Sequence, residues 1–177
     1  LVKGIHSWIT GVYSRVIRHF SVLGHLPVTS VHVGECSGTM LDLDSYRDFV
    51  TPFISRLGRE FGNIRLHSCG NADHVMDAIC EVENLGIIDT GSNTSLRAIR
   101  QKMGRDFEIN VFPPVNVLGE GSQTADIQQW LNRTLGENDG GNLKIEYHLE
   151  PDYNWENCRY IHEELHRRGL VKKGRIY

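Results

Sequence analysis

Ile64-Arg65-Leu66-His67-Ser68-Cys69-Gly70 decides the reading of this chain. A short β-type run ends in His-x-Cys-Gly and is followed by a helical pattern, so it reads as a strand tip opening into a helix. Alternate strand positions face the same way, which puts His67 and Cys69 on one side. Imidazole and thiolate together suit a borderline-soft metal such as zinc. Gly70 allows a sharp turn directly after them. The same residues also fit a plain strand-end histidine beside a half-buried cysteine, so the pair needs support from elsewhere in the chain.

That support comes from the order of elements. Apolar residues at helical spacing (Ile5, Trp8, Ile9, Val12, Val16, Phe20 and Leu23) predict a first helix closed by Gly24. Strands are expected near residues 28–34, 64–67, 86–89, 107–112 and 143–149. Helices are expected at 42–61 (capped by Asp42 or Asp44), 73–84, 94–103 (opened by Thr94 or Ser95), 124–135 and 155–168. An N-terminal helix followed by five βα units implies a parallel sheet covered by helices. The fold class is therefore α/β, as an open doubly wound sheet or as a partial (β/α)8 TIM barrel. No Gly-x-Gly-x-x-Gly follows the first strand, so a dinucleotide-binding open sheet has no support. A whole barrel takes about 250 residues, so a chain of 177 lacks about three of its strands. Residues 1–177 read as a single domain.

Bulk properties narrow the function classes. The chain is 40% hydrophobic and 23% charged, ordinary for a globular domain. A net charge of -3 speaks against a nucleic-acid surface. No apolar run approaches the ~18 residues of a membrane span, and His6 and Ser7 interrupt the only stretch resembling a signal peptide. Four cysteines do not make a disulfide framework here, and a reducing cytoplasm is expected. The chain opens on Leu1 rather than methionine, so a longer parent chain, or an assembly that completes the sheet, is expected.

Reactive groups in such folds gather at the carboxyl ends of the strands. Those ends read Gly34-Glu35-Cys36-Ser37-Gly38, His67-Ser68-Cys69-Gly70-Asn71, Asp89-Thr90-Gly91, Asn110, and Tyr147-His148-Leu149-Glu150. The opposite loops, 58–63 and 137–142, hold ordinary turn residues. Neighbouring strands lie about 4.8 Å apart, so Glu35, Cys36, His67 and Cys69 can share one zinc ion. Cys36 as a small buried residue and Glu35 as a capping group remain the alternative. His148 is a candidate acid/base, anion contact or late zinc ligand, or else a strand-end histidine bonded to backbone. Cys80 and Cys158 sit at apolar helical positions and read as core. His162 and His166, among Glu163, Glu164, Arg167 and Arg168, read as a solvated helix face.

From about Val28 to Val171 the chain resembles the carboxyl-terminal half of the uroporphyrinogen decarboxylase superfamily. The segments that carry the likeness are Met40 through Pro52, His67-Ser68-Cys69-Gly70-Asn71, Asp89 with Leu96 through Gly104, Asn110 with Pro114, Gly121-Ser122, and His148 through Asn157. The resemblance implies a (β/α)8 barrel without its first three strands. In the cobalamin-dependent methyltransferase branch, His-x-Cys binds the zinc that activates a thiol to accept a methyl group. It further implies a corrinoid (methylcobalamin) as donor, a corrinoid protein as partner and a small thiol as acceptor. That branch adds a cysteine near the last strand. Here that region reads Tyr147-His148-Leu149-Glu150-Pro151, leaving Cys36 or His148 to substitute. Asp89 and His148 are the expected catalytic residues, and Asn71 and Asn110 the expected cofactor contacts. Two other readings stay open: a decarboxylase acting on a tetrapyrrole, with His148 and Asp89 handling carboxylates or a pyrrole proton, and a non-catalytic partner of a corrinoid protein.

Overall fold

The computed structural model describes residues 1–147 and 150–171. Its centre is a five-stranded, all-parallel sheet: β1 (Ser30–Gly34), β2 (Asn63–Ser68), β3 (Leu85–Thr90), β4 (Glu108–Val111) and β5 (Leu143–Ile145). Spatial order follows chain order, β1-β2-β3-β4-β5, with no reversal. The helices are α1 (Val2–Gly24), α2 (Leu43–Phe49), α3 (Thr51–Phe61), α4 (Met76–Cys80), α5 (Leu96–Met103), α6 (Val115–Leu118), α7 (Thr124–Asn138) and α8 (Trp155–Arg167). The α/β class and the sequential parallel sheet expected from the sequence are present. None of these helices is long and apolar enough to cross a membrane.

Register sorts the strand side chains into two faces. Val31 pairs with Ile64, Val33 with Leu66, Leu66 with Ile88, and Ile88 with Ile109. Parallel pairing keeps partners on one face, and this one is apolar. Ile64, Leu66 and Ile109 are wholly buried there, against Ile54, Leu57 and Phe61 of α3, Met76 and Ile79 of α4, and Ile99 of α5. A second cluster continues the layer with Val111, Ile127, Leu131 and Ile161. The opposite face carries polar groups in the same register: Gly34, His67, Asp89, Asn110 and Lys144 form one row across all five strands. His32 and Arg65 stand side by side one step earlier.

Local chemistry explains most element ends. Asp42 caps α2 by accepting from the Ser45 N–H at 2.9 Å, and Ser95 caps α5 through Ala98. The single helix expected over 42–61 is two, α2 and α3, broken at Val50 with Pro52 in the first turn of α3. A proline has no N–H to continue a helix but suits a helix start. The helix expected over 73–84 is a 3-10 turn followed by the short α4. Arg100 of α5 runs beneath the sheet and donates to Asn138 Oδ1 and to the carbonyls of Gly104, Phe107 and Asn142. It thereby ties the start of β4 and β5 to the end of α7.

The first helix forms as its spacing predicts, but the apolar stripe does not enter the core. Thr10 and Ser14 are its buried residues, and Ser14 donates to Glu60 of α3 at 2.9 Å. Trp8 and Phe20 are 68% and 67% exposed. The small polar side of α1 meets α3 closely, and that contact turns the bulky side outward.

Truncating Leu66 tests the helix-covered face. Leu66→Ala is expected to lower the unfolding free energy by about 2–5 kcal/mol. In urea the midpoint falls with the slope unchanged; a loss within ~0.5 kcal/mol contradicts the packing described.

Candidate metal centre

β1 and β2 end side by side, and pairing continues one step past β1: the Glu35 N–H donates to the His67 carbonyl at 2.7 Å. Cys36 then begins a 3-10 turn (Cys36–Met40), and Cys69 follows β2 directly. This brings the two sulfurs within 3.0 Å. Ligand atoms of Cys36, His67 and Cys69 all lie within 4.8 Å of one another. Two thiols and an imidazole at that spacing can hold a metal ion, and the set matches the sulfur and nitrogen donors zinc takes. Hydrogen bonding to Cys36, then burial, pushes the Cys69 thiol above its ordinary pKa. A metal must therefore displace the proton that the pair retains.

The turn around the sulfurs is closely fitted. Thr39 Oγ1 donates to the Cys36 carbonyl at 2.9 Å. A Cβ placed on Gly91 would stand 2.2 Å from the Cys69 carbonyl oxygen, so only glycine lets the end of β3 pass this close behind Cys69. The Gly91 N–H donates to the Ser68 carbonyl at 3.1 Å.

Below the sulfurs lies Asp89, wholly buried. Its carboxylate accepts from Arg65 Nε at 2.5 Å and from Asn110 Nδ2 at 2.7 Å. His32 Nε2 stands 3.4 Å from Oδ2, and His67 Nδ1 stands 4.0 Å from it. His32, His67 and Asp89 form a second group with ligand atoms within 4.8 Å of each other. Arg65 continues to Glu146 at 2.8 Å, and Lys144 meets Glu108 at 2.6 Å. His67 thus stands between a sulfur pair and a buried carboxylate. A cleft of about 430 Å³ opens on His67 and Cys69, walled by Phe112, Pro113, Pro114 and Val115 with Ser92 and Asn93 opposite. The Phe112 ring meets the His67 ring edge-on, with centroids 5.6 Å apart.

The structure brings together Cys36, His67 and Cys69, with Asp89 and Asn110 on the same sheet face. It places Glu35 differently. That carboxylate packs over Gly38 beside Tyr46, where a Cβ on Gly38 would be 2.4 Å from Oε1, and Glu35 is in neither donor group. Burial raises its pKa, against the lowering effect of the Gly38 N–H. Its position follows from strand alternation, which puts Glu35 on the helix-covered face with Val33 and Cys36 on the face of Gly34. Asn71 is exposed and accepts from the Asp73 N–H at 2.9 Å. Asn110 Oδ1 is buried with no partner among the described residues. His148 lies outside the described residues. Cys158 is buried and Cys80 packs at the core edge, as their spacing suggests. Sequence reading passed over His32 and Arg65. Their signal was period two: each stands two residues before a row member, Gly34 or His67, on the same face.

No model of a known protein family matches the chain, and no curated protein matches it.

Removing the buried carboxylate tests this network. Asp89→Ala leaves Arg65 with Glu146 alone and Asn110 without its acceptor, and is expected to cost about 1–3 kcal/mol of unfolding free energy. Asp89→Asn, which keeps an acceptor for Arg65, should cost less. Equal losses in the two variants would contradict a network held by hydrogen bonding to that acceptor.

Proposed function

We propose that Cys36, His67 and Cys69 hold zinc, and that the chain is a zinc-dependent methyltransferase moving a methyl group from a corrinoid to a thiol. The observation that carries the metal reading is the convergence of three donors within 4.8 Å at adjacent parallel strand ends. The resemblance of His67 through Asn71 and the surrounding segments to the methyltransferase branch of the uroporphyrinogen decarboxylase superfamily supplies the reaction class. On this reading the five sequential strands are part of a (β/α)8 barrel, and the polar row His67-Asp89-Asn110-Lys144 faces its interior.

Held by Cys36, His67 and Cys69, zinc would supply the Lewis acidity that keeps a substrate thiol ionised near neutral pH. The chain's own residues do the rest. Asp89, on the Nδ1 side of His67, favours the tautomer with the proton on Nδ1 and leaves Nε2 as the ligand atom. Arg65 and Asn110 keep Asp89 in place for that task. The cleft between Phe112–Val115 and Ser92–Asn93 admits the acceptor on the open side of the sulfurs. Methylation of a thiol releases one proton. His32, half exposed and 3.4 Å from Asp89, stands on that face to receive it.

Metal content is the test. Protein reconstituted with zinc and desalted should carry one equivalent. Cys36→Ser, His67→Ala and Cys69→Ser should each lose it, while Glu35→Gln should keep it. Asp89→Asn is expected to weaken zinc binding ~10–100-fold, as loss of a partner behind a ligand histidine does. Zinc held equally by wild type and both serine variants, or by none of them, would remove the reading.

A further inference from the structure

We infer that Cys36 and Cys69 form a dithiol that a hydroperoxide closes reversibly to a disulfide. The chemistry needs only the two thiols and a hydroperoxide. The link to metal release rests on the zinc reading above.

Geometry carries the inference. Gly34 pairs with His67, and the Glu35 N–H bond to the His67 carbonyl extends the pairing, so Cys36 and Cys69 are neighbours across adjacent parallel strand ends. Strand neighbours lie about 4.8 Å apart, inside the ~4.4–6.8 Å Cα separation that a disulfide spans. The sulfurs are already 3.0 Å apart, although the residues are 33 positions apart in the chain. Closing to a bond of about 2.05 Å asks for a movement of about 1 Å. Both cysteines are exposed, so a small oxidant reaches them. Cys80 and Cys158 are less accessible, and they belong to two different apolar clusters.

The steps balance. A thiolate of the pair attacks the peroxide and breaks the O–O bond. This yields a sulfenic acid and, from hydrogen peroxide, one water after protonation of the departing hydroxide. The second thiolate attacks that sulfur, the S–O bond breaks, and a second water leaves. Two thiols and one hydrogen peroxide give one disulfide and two waters. The sulfurs are the same two that bind zinc in the reading above. Oxidation then takes away two of three ligands and should expel the ion.

The test treats metal-free and zinc-loaded protein with one equivalent of hydrogen peroxide. In the metal-free wild type, two of the four thiols should disappear. The intact mass should fall by about two hydrogen masses, a Cys36–Cys69 cross-linked peptide should appear, and dithiothreitol should reverse all three. Cys36→Ser and Cys69→Ser should form no cross-link and gain oxygen instead. In the loaded protein, zinc release should rise in step with the cross-link. Oxygen adducts without a cross-link in wild type, or a link through Cys80 or Cys158, would overturn the inference. A cross-link in protein that never retained zinc would leave the dithiol standing and remove the metal reading. Retained zinc with no cross-link after its removal would do the reverse.

Discussion

Asp89 is a carboxylate with no exposed surface, and the arrangement of the polar sheet face follows from satisfying it. An ionised group so placed costs several kcal/mol unless donors surround it. Arg65 from β2 and Asn110 from β4 meet it from either side, and imidazoles from β1 and β2 stand near. Three strands thus converge on one side chain of a fourth. A slip of one residue in β3 would push Asp89 into the apolar layer and expose Ile88, so the carboxylate and the core enforce one register together. The constraint that aligns the sheet also sets His67 beneath the two sulfurs.

Along the strand direction, Arg65 and Glu108 sit one step below the row of His67, Asp89 and Lys144, and the sulfurs sit at the tips, beside a cleft with a proline and phenylalanine wall. A thiol-binding metal suits the tips, and a proton relay suits the polar row beneath them. The outward apolar stripe of α1 stands apart from this chemistry. It faces away from α3.

Much of this was legible in the residues. Alternation of βα units announced the parallel sheet because each crossover needs a helix of its own. His67 and Cys69 announced a site because period two gives them one facing. Cys36 could be placed because consecutive βα units put strand neighbours side by side. Glu35 falls on the helix-covered face with Val33, because the period of two that gives Cys36 the facing of Gly34 turns its neighbour the other way. The break at Val50 was present in Pro52, but the apolar spacing from Tyr46 to Leu57 masked it. The outward turn of Trp8 and Phe20 was not readable, since helical periodicity shows which side is apolar and not what it meets. His32 and Arg65 were hidden because their importance depends on Asp89, a partner on another strand.

The account rests on two sulfurs and one imidazole meeting a single ion at the ends of β1 and β2. X-ray absorption at the zinc edge of the reconstituted chain reads that shell directly. The account predicts two sulfur scatterers at about 2.3 Å and an imidazole nitrogen at about 2.0–2.1 Å, with one sulfur lost in Cys36→Ser. A shell of nitrogen and oxygen alone, as zinc on the exposed His162–His166 pair would give, would contradict it.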